Sequence, residues 1–384
     1  GFLFTLPRDA IMLHAMIDDT LRDILIVTDP GQRRLIVWQF RLSDDRQRRR
    51  TESIIPFYGD SVGFFNSPSA IETTAKNRIF DPMRDLIFIC DTYNSRIVAY
   101  HYNPNRKGGR FHLANEFTHR EMEKPVDIVL SAYGDEEYTT ADLYIADEGF
   151  YPHDGGLFRF SLDGAFERIF TACYSEVYRN RILGLKNPIS LAAYPYENSG
   201  DTCMITVTLK GTNLIKLLFS TDGDAIHYYS WQIKTDLQDV MSGGMAVDDS
   251  GRTYIANPIL GMVECYWPYK TVPYRLMRND PVMDRNKLKM PRNIIIDTYH
   301  SSCEALIIGN MLPGSGLRSY EINNGCSMRK PPVGLRPGEG LARLLTDDFT
   351  ELPKRYKLYS PYPNPFNTSC IIQFDLPKPS KVKI

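Results

Sequence analysis

The chain has 384 residues, of which 43% are apolar and 12% aromatic, a composition typical of folded globular proteins. Its 45 basic and 46 acidic residues leave a net charge of −1, so it has no overall field that would attract nucleic acid. No run approaches the roughly 18–20 apolar residues that a membrane span requires. The sequence therefore predicts a folded protein without a membrane span and without a nucleic-acid partner.

A β-hairpin pattern recurs along the chain. It is clearest over residues 86–100, where apolar residues lead to Asp91, a polar turn with Asn94 follows, and a second apolar run returns. The other copies end their first strand at Asp29, Asp147, Thr208, Asn257 and Gly309. Repeats of this length, with about four strands each, are typical of propeller blades. We therefore predict an all-β fold with a six-bladed β-propeller over residues 1–348.

A proline precedes most of these hairpins. The prolines are Pro7, Pro68, Pro125, Pro188 and Pro291, and residues 243–247 take the same place in the fifth unit without a proline. Proline can begin a strand because its missing N–H lies outside the hydrogen-bond ladder. Each proline therefore marks the predicted start of the innermost strand of a blade.

At their strongest matches these units resemble NHL repeats, in which a Pro-led inner strand, an Asp-ended strand and an Asn/Arg turn follow one another. Residues 91–98 match that turn, and residues 57–68 resemble the segment that connects NHL blades. The resemblance covers roughly residues 6–345 and is loose in units four to six, so a related six-bladed family stays open. It implies a ring closed by a terminal strand, from residues 1–5 or 341–345.

The tail carries a second motif. It is formed by Tyr362, Pro363, Asn364, Pro365, Phe366 and Asn367. This motif, with the alternating strand that follows it, resembles the start of the C-terminal sorting domain of bacterial type IX secretion. The resemblance implies export through the periplasm to the cell surface or medium, with the secretion machinery as a partner. We predict that residues 349–384 comprise a linker and the first strands of a small, truncated, sandwich-like sorting domain.

The seven cysteines are widely spaced and form no C-x-x-C pair. Cys90 and Cys265 lie within apolar strand patterns, which predicts that they behave as small buried hydrophobic residues. Cys303 and Cys326 flank the last hairpin and are the best candidate pair for a disulfide. The sequence predicts no cofactor.

The richest candidate loop follows the third hairpin strand. It contains Asp147, Glu148, Tyr151, His153 and Asp154, which could bind a polar ligand or a metal if the loop faces the mouth of the central channel. The simpler interpretation is a long turn in which the first of these carboxylates accepts hydrogen bonds from nearby backbone. By the same argument, the Asp91 carboxylate should accept hydrogen bonds from turn N–H groups near Asn94.

These patterns predict an exported propeller that acts as a binding or scaffold module for an unknown protein or carbohydrate ligand. The alternative is a propeller hydrolase or lyase, with or without a metal, whose site lies at the channel mouth. The chain lacks the Glu-Gly-Pro opening of gluconolactonase-like lactonases, and its histidines do not recur once per blade as zinc-dependent amidating lyases would require. Phosphate-loop, nucleophile-elbow and zinc-helix motifs are also missing from the sequence.

Overall fold

A computed structural model describes the chain in segments. These are residues 8–42, 48–57, 59–60, 63–76, 78–105, 110–131, 141–150, 152–175, 181–195, 203–210, 214–220, 225–232, 244–247, 253–257, 262–266, 274–275, 291–297, 304–309, 317–321, 357–358 and 374–375. The chain divides into two compact units, Gly1–Arg329 and Lys330–Ile384.

The first half of the larger unit contains three four-stranded antiparallel sheets. Blade 1 consists of β1 (Ala10–Ile17), β2 (Thr20–Asp29), β3 (Arg34–Leu42) and β4 (Arg48–Phe57). A short pair, β5 (Gly59–Asp60) and β6 (Gly63–Phe64), precedes blade 2, which consists of β7 (Pro68–Thr73), β8 (Ile87–Asp91), β9 (Arg96–Asn103) and β10 (Arg110–Phe117). Blade 3 consists of β11 (Pro125–Leu130), β12 (Asp142–Asp147), β13 (Gly156–Ser161) and β14 (Phe166–Phe170).

Three more sheets follow in chain order. Blade 4 contains β17 (Pro188–Pro195), β18 (Cys203–Leu209), β19 (Leu214–Ser220) and β20 (Ala225–Gln232), and its outer edge is extended by β15 (Ala172–Ser175) and β16 (Arg181–Gly184). Blade 5 contains β21 (Met245–Val247), β22 (Thr253–Asn257), β23 (Met262–Tyr266) and β24 (Tyr274–Arg275). In the described part of the chain, blade 6 contains β25 (Pro291–Asp297), β26 (Glu304–Gly309) and β27 (Leu317–Glu321).

The first strands of the six sheets form a closed ring. β1 contacts β7, β7 contacts β11, and the series continues through β17, β21 and β25 back to β1. Consecutive sheets arranged radially around inner strands define a β-propeller. The predicted all-β propeller fold is therefore confirmed.

Apolar residues on both faces of each sheet pack against the neighbouring blades. One cluster joins blades 1 and 2 through residues such as Leu13, Ile26, Ile89 and Tyr100, and another joins blades 2 and 3. In β8, the four residues from Ile87 to Cys90 are all fully buried. Burial on both faces explains why the sequence shows continuous apolar runs rather than strict alternation. The predicted burial of Cys90 is confirmed, and the side chain of Cys265 lies outside the described residues.

The Pro-led inner strands begin with an irregular register. The pairing of β11 with β12 shifts between Pro125 and Asp127, and similar shifts follow Pro68, Pro188 and Pro291. A bulge of this kind re-aims the next side chain and frees backbone N–H groups from the ladder. As a result, the residue two positions after proline can contact the adjacent blade.

The turn after Asp91 differs in detail from the prediction. Its carboxylate accepts hydrogen bonds from the backbone N–H of Asn66 (2.7 Å), the side-chain amide of Asn94 (2.7 Å) and the guanidinium of Arg96 (2.8 Å). The turn itself is a short 3₁₀ segment, Thr92–Asn94, which ends at Ser95 in a left-handed conformation. Because the N–H groups of Thr92 and Tyr93 donate to the carbonyls of Ser67 and Asn66, the carboxylate is available to bind side chains and the preceding loop.

In the smaller unit, β28 (Lys357–Leu358) pairs antiparallel with β29 (Phe374–Asp375). The sorting motif, both candidate closing strands and the Cys303–Cys326 pair lie outside the described residues. The domain boundary at residue 348 and the sorting domain therefore remain predictions. Within the described residues, no helix has the length and apolar character needed to cross a membrane.

Candidate functional site

The inner strands of all six blades surround a central channel with a cavity of about 110 Å³. Polar residues line it where the inner strands begin: Arg8, Asp9, Ser69, Asp127, Ser190 and Asn293. Apolar side chains follow along the same strands, among them Ile11, Met12, Ile71, Ile128 and Leu191. The cavity therefore has a polar end where the inner strands begin, which we call the polar opening of the channel, and an apolar wall along the strands.

Asp9 lies at this opening and contacts three blades. Its carboxylate accepts hydrogen bonds from the backbone N–H of Ala10 (2.6 Å) in its own blade and of Ile71 (2.9 Å) in blade 2. The side-chain amide of Asn293, in blade 6, also donates to it. Asp9 thereby connects the last blade of the ring to the first two.

Asp127 makes the corresponding contacts between blades 3 and 4. Its carboxylate accepts hydrogen bonds from the N–H of Ile128 (2.9 Å), the hydroxyl of Ser190 (2.9 Å) and the N–H of Leu191 (2.7 Å). The same arrangement thus occurs twice in the ring: an aspartate two residues after a proline binds its own strand and the next blade.

Burial raises the pKa of both carboxyl groups. It raises the pKa of Asp127 to about 6, although the three hydrogen bonds and the charge of Arg8 act to lower it. The pKa of Asp9 is raised well above its usual range, first by burial and then by the negative charge of Asp127. The opening therefore contains two carboxyl groups that burial makes weaker acids than usual, and Asp127 can exchange a proton near pH 6.

None of the charged groups at the opening forms an ion pair with another residue that the structure describes. Within the described residues, the hydrogen-bond donors to Asp9 and Asp127 are uncharged N–H, amide and hydroxyl groups. Arg8 lines the same cavity, and in the described part of the chain its guanidinium forms neither an ion pair nor a hydrogen bond. Charged groups are usually paired when they are withdrawn from water, so this arrangement leaves them available to a ligand.

The other end of the inner strands contributes a second polar region. His14 lines the cavity, is 1% exposed, and its Nδ1 lies 2.8 Å from Oδ1 of the fully buried Asp23. Glu72, Thr73 and Lys76 line the cavity as well. A carboxylate at Nδ1 fixes the orientation and tautomer of an imidazole.

The predicted loop of blade 3 is bound to its own surroundings. The Asp147 carboxylate is fully buried and accepts hydrogen bonds from the N–H groups of Glu123 (2.8 Å), Lys124 (3.0 Å) and Gly149 (2.7 Å). Burial raises its pKa to about 6 in spite of these donors. This is the backbone-binding role that the simpler interpretation of the sequence predicted.

Glu148, the next residue, forms ion pairs with Lys124 (2.5 Å) and with Lys210. Although burial acts to raise the pKa of Glu148, hydrogen bonds and charge from these two lysines lower it overall. Lys124 precedes blade 3 and Lys210 follows β18 of blade 4, so Glu148 connects the two blades.

His153 and Asp154 are exposed. Nε2 of His153 lies 3.9 Å from Oε1 of Glu123, and Asp154 pairs with Lys186. Tyr151 lies outside the described residues. The described members of the predicted set lie close to one another, but none of them is among the residues that line the channel cavity. Their proposed role in ligand binding remains a prediction.

Among the described residues, no three His, Cys, Asp or Glu side chains are grouped so as to hold a metal ion.

Sequence reasoning did not single out Asp9, Asp127 or Asn293, and yet a signal was present. Each lies two residues after one of the marker prolines, and Ser190 occupies the same position in unit four. Asp, Ser and Asn at an inner-strand position that is otherwise apolar could have indicated a polar ring at the channel opening. His14 and Asp23 had no such repeat to identify them.

Comparison with solved structures returns propellers of low sequence identity. A structural-genomics target described as a gluconolactonase matches with a TM-score of 0.49 and 14% identity, over 83% of this chain and 89% of that one. A catalytically inactive virginiamycin B lyase from Staphylococcus aureus, with quinupristin, matches with a TM-score of 0.45 and 11% identity, over 84% and 86%. A streptogramin B lyase matches with a TM-score of 0.43 and 10% identity, over 83% and 96%.

Similarity at this level does not indicate an activity for this chain. The assignment of the fold rests on the sheet topology described above. No protein-family model matches the sequence, and no curated protein matches it either. The class defined by the fold is the β-propeller, and the site must be interpreted from its own residues.

Proposed function

We propose that this protein is a binding module whose ligand, a small polar molecule, occupies the polar opening of the central channel. The observation that supports this proposal is the set of charged groups at that opening, Arg8, Asp9 and Asp127, which form no ion pairs with one another or with other described residues. Uncompensated charges inside a protein are costly. They are found preferentially at functional sites.

The apolar wall beneath the opening gives a ligand a second type of contact. Sites for small molecules commonly combine mostly apolar walls with a few convergent polar groups. Here the polar groups come from the starts of inner strands in different blades, so a ligand would contact several blades at once. Binding would therefore also stabilise the ring.

The proposal is tested by filling the channel. Ala192 lines the cavity and is 4% exposed, whereas Ala141 is equally buried at 5% but lies outside the cavity. Small polar molecules that bind the full chain in ligand-observed NMR should lose binding in Ala192→Met and retain it in Ala141→Met. Hits that bind both variants equally would show that the ligand site lies elsewhere, and melting temperatures of both variants verify that they are folded.

A second candidate function is hydrolysis or elimination at the same opening. The observation in its favour is the position of Asp127 in this cavity, because a carboxyl group with a pKa of about 6 can hold or accept a proton near neutral pH. In an enzyme, Asp127→Asn should abolish turnover while leaving the ligand bound. If the wild type turns over a substrate and Asp127→Asn does so at an unchanged rate, catalysis by this carboxyl group is contradicted.

We also infer that the propeller is of the NHL type and that it is exported through type IX secretion. The NHL assignment is supported by the repeat pattern of units one to three, and the export route by the motif Tyr362 to Asn367. Removing residues 349–384 should leave the propeller folded but retained in the periplasm of a bacterium that has this machinery. Surface display of the shortened chain would contradict the export proposal without affecting the channel proposal.

A further inference from the structure

Arg8 is the first described residue of the chain and lies directly before Asp9. Its backbone N–H donates to the carbonyl of Thr28 (3.0 Å), which holds this segment beside β2. Its side chain lines the cavity, and within the described part of the chain the guanidinium has no partner. A guanidinium is always charged, and its planar set of donors matches the two oxygens of a carboxylate.

Asp127 supplies the opposite charge in the same cavity, and Asp9 lines that cavity as a second acidic group. Each is held in place by three hydrogen bonds from uncharged donors, so its position is fixed without its charge being neutralised. A rigid, unneutralised acid is complementary to a cation such as an ammonium group. The hydrogen bonds that position it need no rearrangement when the cation binds.

Arg8 and the aspartates do not neutralise one another. No ion pair joins Arg8 to Asp9 or Asp127, although all three line one cavity and the charge of Arg8 acts on Asp127. A cationic ligand would pair with the acids and leave Arg8 unpaired. An anionic ligand would pair with Arg8 and leave the acids unpaired. A ligand that carries both charges pairs with Arg8 and with the acids.

We propose that the channel opening binds a zwitterion of the α-amino acid type, with its ammonium group at Asp127 and Asp9 and its carboxylate at Arg8. This inference rests on the proposed binding function and specifies the ligand class. The apolar wall below, which includes Ile11 and Met12, receives the side chain of the ligand. A cavity of about 110 Å³ restricts the ligand to one of small size.

The experiment compares three probes that share one branched carbon chain. L-leucine carries both charges, 3-methylbutylamine only the cation and 4-methylpentanoate only the anion. Their dissociation constants are measured by calorimetry on the full chain at pH 7.5. Leucine should bind at least about tenfold more tightly than either single-charge probe, because both charge-assisted contacts then form.

Two variants test the two proposed charged contacts separately. Arg8→Gln should weaken leucine binding to the level of 3-methylbutylamine and leave binding of that amine unchanged. Asp127→Asn should weaken leucine binding to the level of 4-methylpentanoate and leave binding of that anion unchanged. Arg120→Gln and Glu121→Gln are matched controls, because these residues are 85% and 58% exposed and lie outside the cavity.

Several results would contradict the proposal that the ligand is a zwitterion. Equal affinity for all three probes, or leucine binding that survives both variants, would contradict charge recognition at this opening. Calcium binding that is lost in Asp127→Asn, without any binding of leucine, would replace the zwitterion with a metal ion. In contrast, ligands of another class that are lost in Ala192→Met would leave the binding function intact and reject only this ligand class.

Discussion

At the scale of single residues, Asp127 contributes both to the architecture and to the candidate site. It holds blade 4 through the hydroxyl of Ser190 and the N–H of Leu191, and it lines the cavity with an acidic group. The hydrogen bonds lower the pKa of this carboxyl, but burial outweighs them. The net effect is a structural residue whose charge changes in the physiological pH range.

This raised pKa predicts a specific pH dependence of stability. Between pH 3.8 and about 6 the folded protein retains a proton on Asp127 that the unfolded chain has released. The free energy of unfolding should therefore decrease as pH rises through this range. Two other charged groups of the same cavity are linked to this one: Arg8 acts to lower the pKa of Asp127, and Asp127 acts to raise the pKa of Asp9.

In the wild type, the free energy of unfolding should be higher at pH 5 than at pH 7.5. In Asp127→Asn this difference should be smaller by about 1–2 kcal/mol. Urea denaturation at the two pH values measures the difference in each protein. The exposed-carboxylate control Glu121→Gln should retain the wild-type difference. An unchanged difference in Asp127→Asn would show that the carboxyl titrates normally.

Asp91 is a second residue whose removal has a predictable cost. Its carboxylate is fully buried and pairs with Arg96, which is 7% exposed. Asp91→Ala would remove one acidic partner of this guanidinium, which also pairs with Glu116, and would leave the N–H of Asn66 without its side-chain acceptor. We expect a loss of about 2–4 kcal/mol in the unfolding free energy, measured by denaturation. A loss below about 0.5 kcal/mol, the range expected for the exposed Glu121→Ala, would contradict this role.

At the scale of elements, the loop that joins β12 to β13 depends on backbone conformation. Gly149 and Gly155 both have positive φ, of 68° and 62°, and lie against each other. A Cβ atom on Gly155 would overlap the carbonyl oxygen of Asp147. Only glycine therefore permits the loop to return to β13 while Asp147 remains buried.

Gly155→Ala should accordingly destabilise the protein by about 2 kcal/mol or more, because both the conformation and the space are unsuitable for alanine. Gly184→Ala is the matched control, since the nearest atoms to its added Cβ are at 3.5 Å and its φ is not positive. Thermal melting of the two variants provides the comparison. Equal melting temperatures would show that the loop rearranges at little cost.

The Pro-led inner strands are the other informative elements. Proline at the first position of β7, β11, β17 and β25 is followed by a register shift, and the residue after the shift contacts the neighbouring blade. One short sequence pattern thereby produces a strand start, a bulge and a connection between blades. The recurrence of this pattern explains why polar residues from different blades meet at one opening.

At the scale of the whole molecule, the described ring is completed where β25 contacts β1 and where Asn293 donates to Asp9. Asn293 is 7% exposed, and its side-chain oxygen Oδ1 accepts a hydrogen bond from the N–H of Ile294 (2.7 Å). This side chain is thus held firmly at the junction of the last and first blades. The junction combines backbone packing with a side-chain connection.

Asn293→Ala should lower the unfolding free energy by about 1–2 kcal/mol. Because the lost contact lies at the junction, amide hydrogen exchange should accelerate in β1 and β25 more than elsewhere. Ser190→Ala removes the equivalent contact to Asp127, and its effect should instead appear in β11 and β17. Acceleration spread evenly over all blades in both variants would contradict the assignment of these contacts to separate junctions.

The sequence by itself determined the repeat, the all-β class and the starts of four inner strands, β7, β11, β17 and β25, because these depend on local patterns: apolar runs, turn residues and proline at a strand start. The inner strand of blade 1 instead begins at Ala10, three residues after its marker Pro7. It also identified the backbone-binding role of Asp147 as the simpler interpretation of that loop. The hydrogen-bond partners of Asp91 were only partly predictable, since Asn66 lies 25 residues away in sequence.

Only the tertiary structure decided where the charged groups meet. Asp9 and Asn293 are separated by 284 residues and touch because the ring closes. The pairing of His14 with Asp23, and the positions of Arg8 and Asp127 around one cavity, likewise follow from the packing of strands and blades. A loop rich in acids, such as residues 147–154, is visible in sequence, whereas a site built from residues of several blades exists only once the inner strands converge.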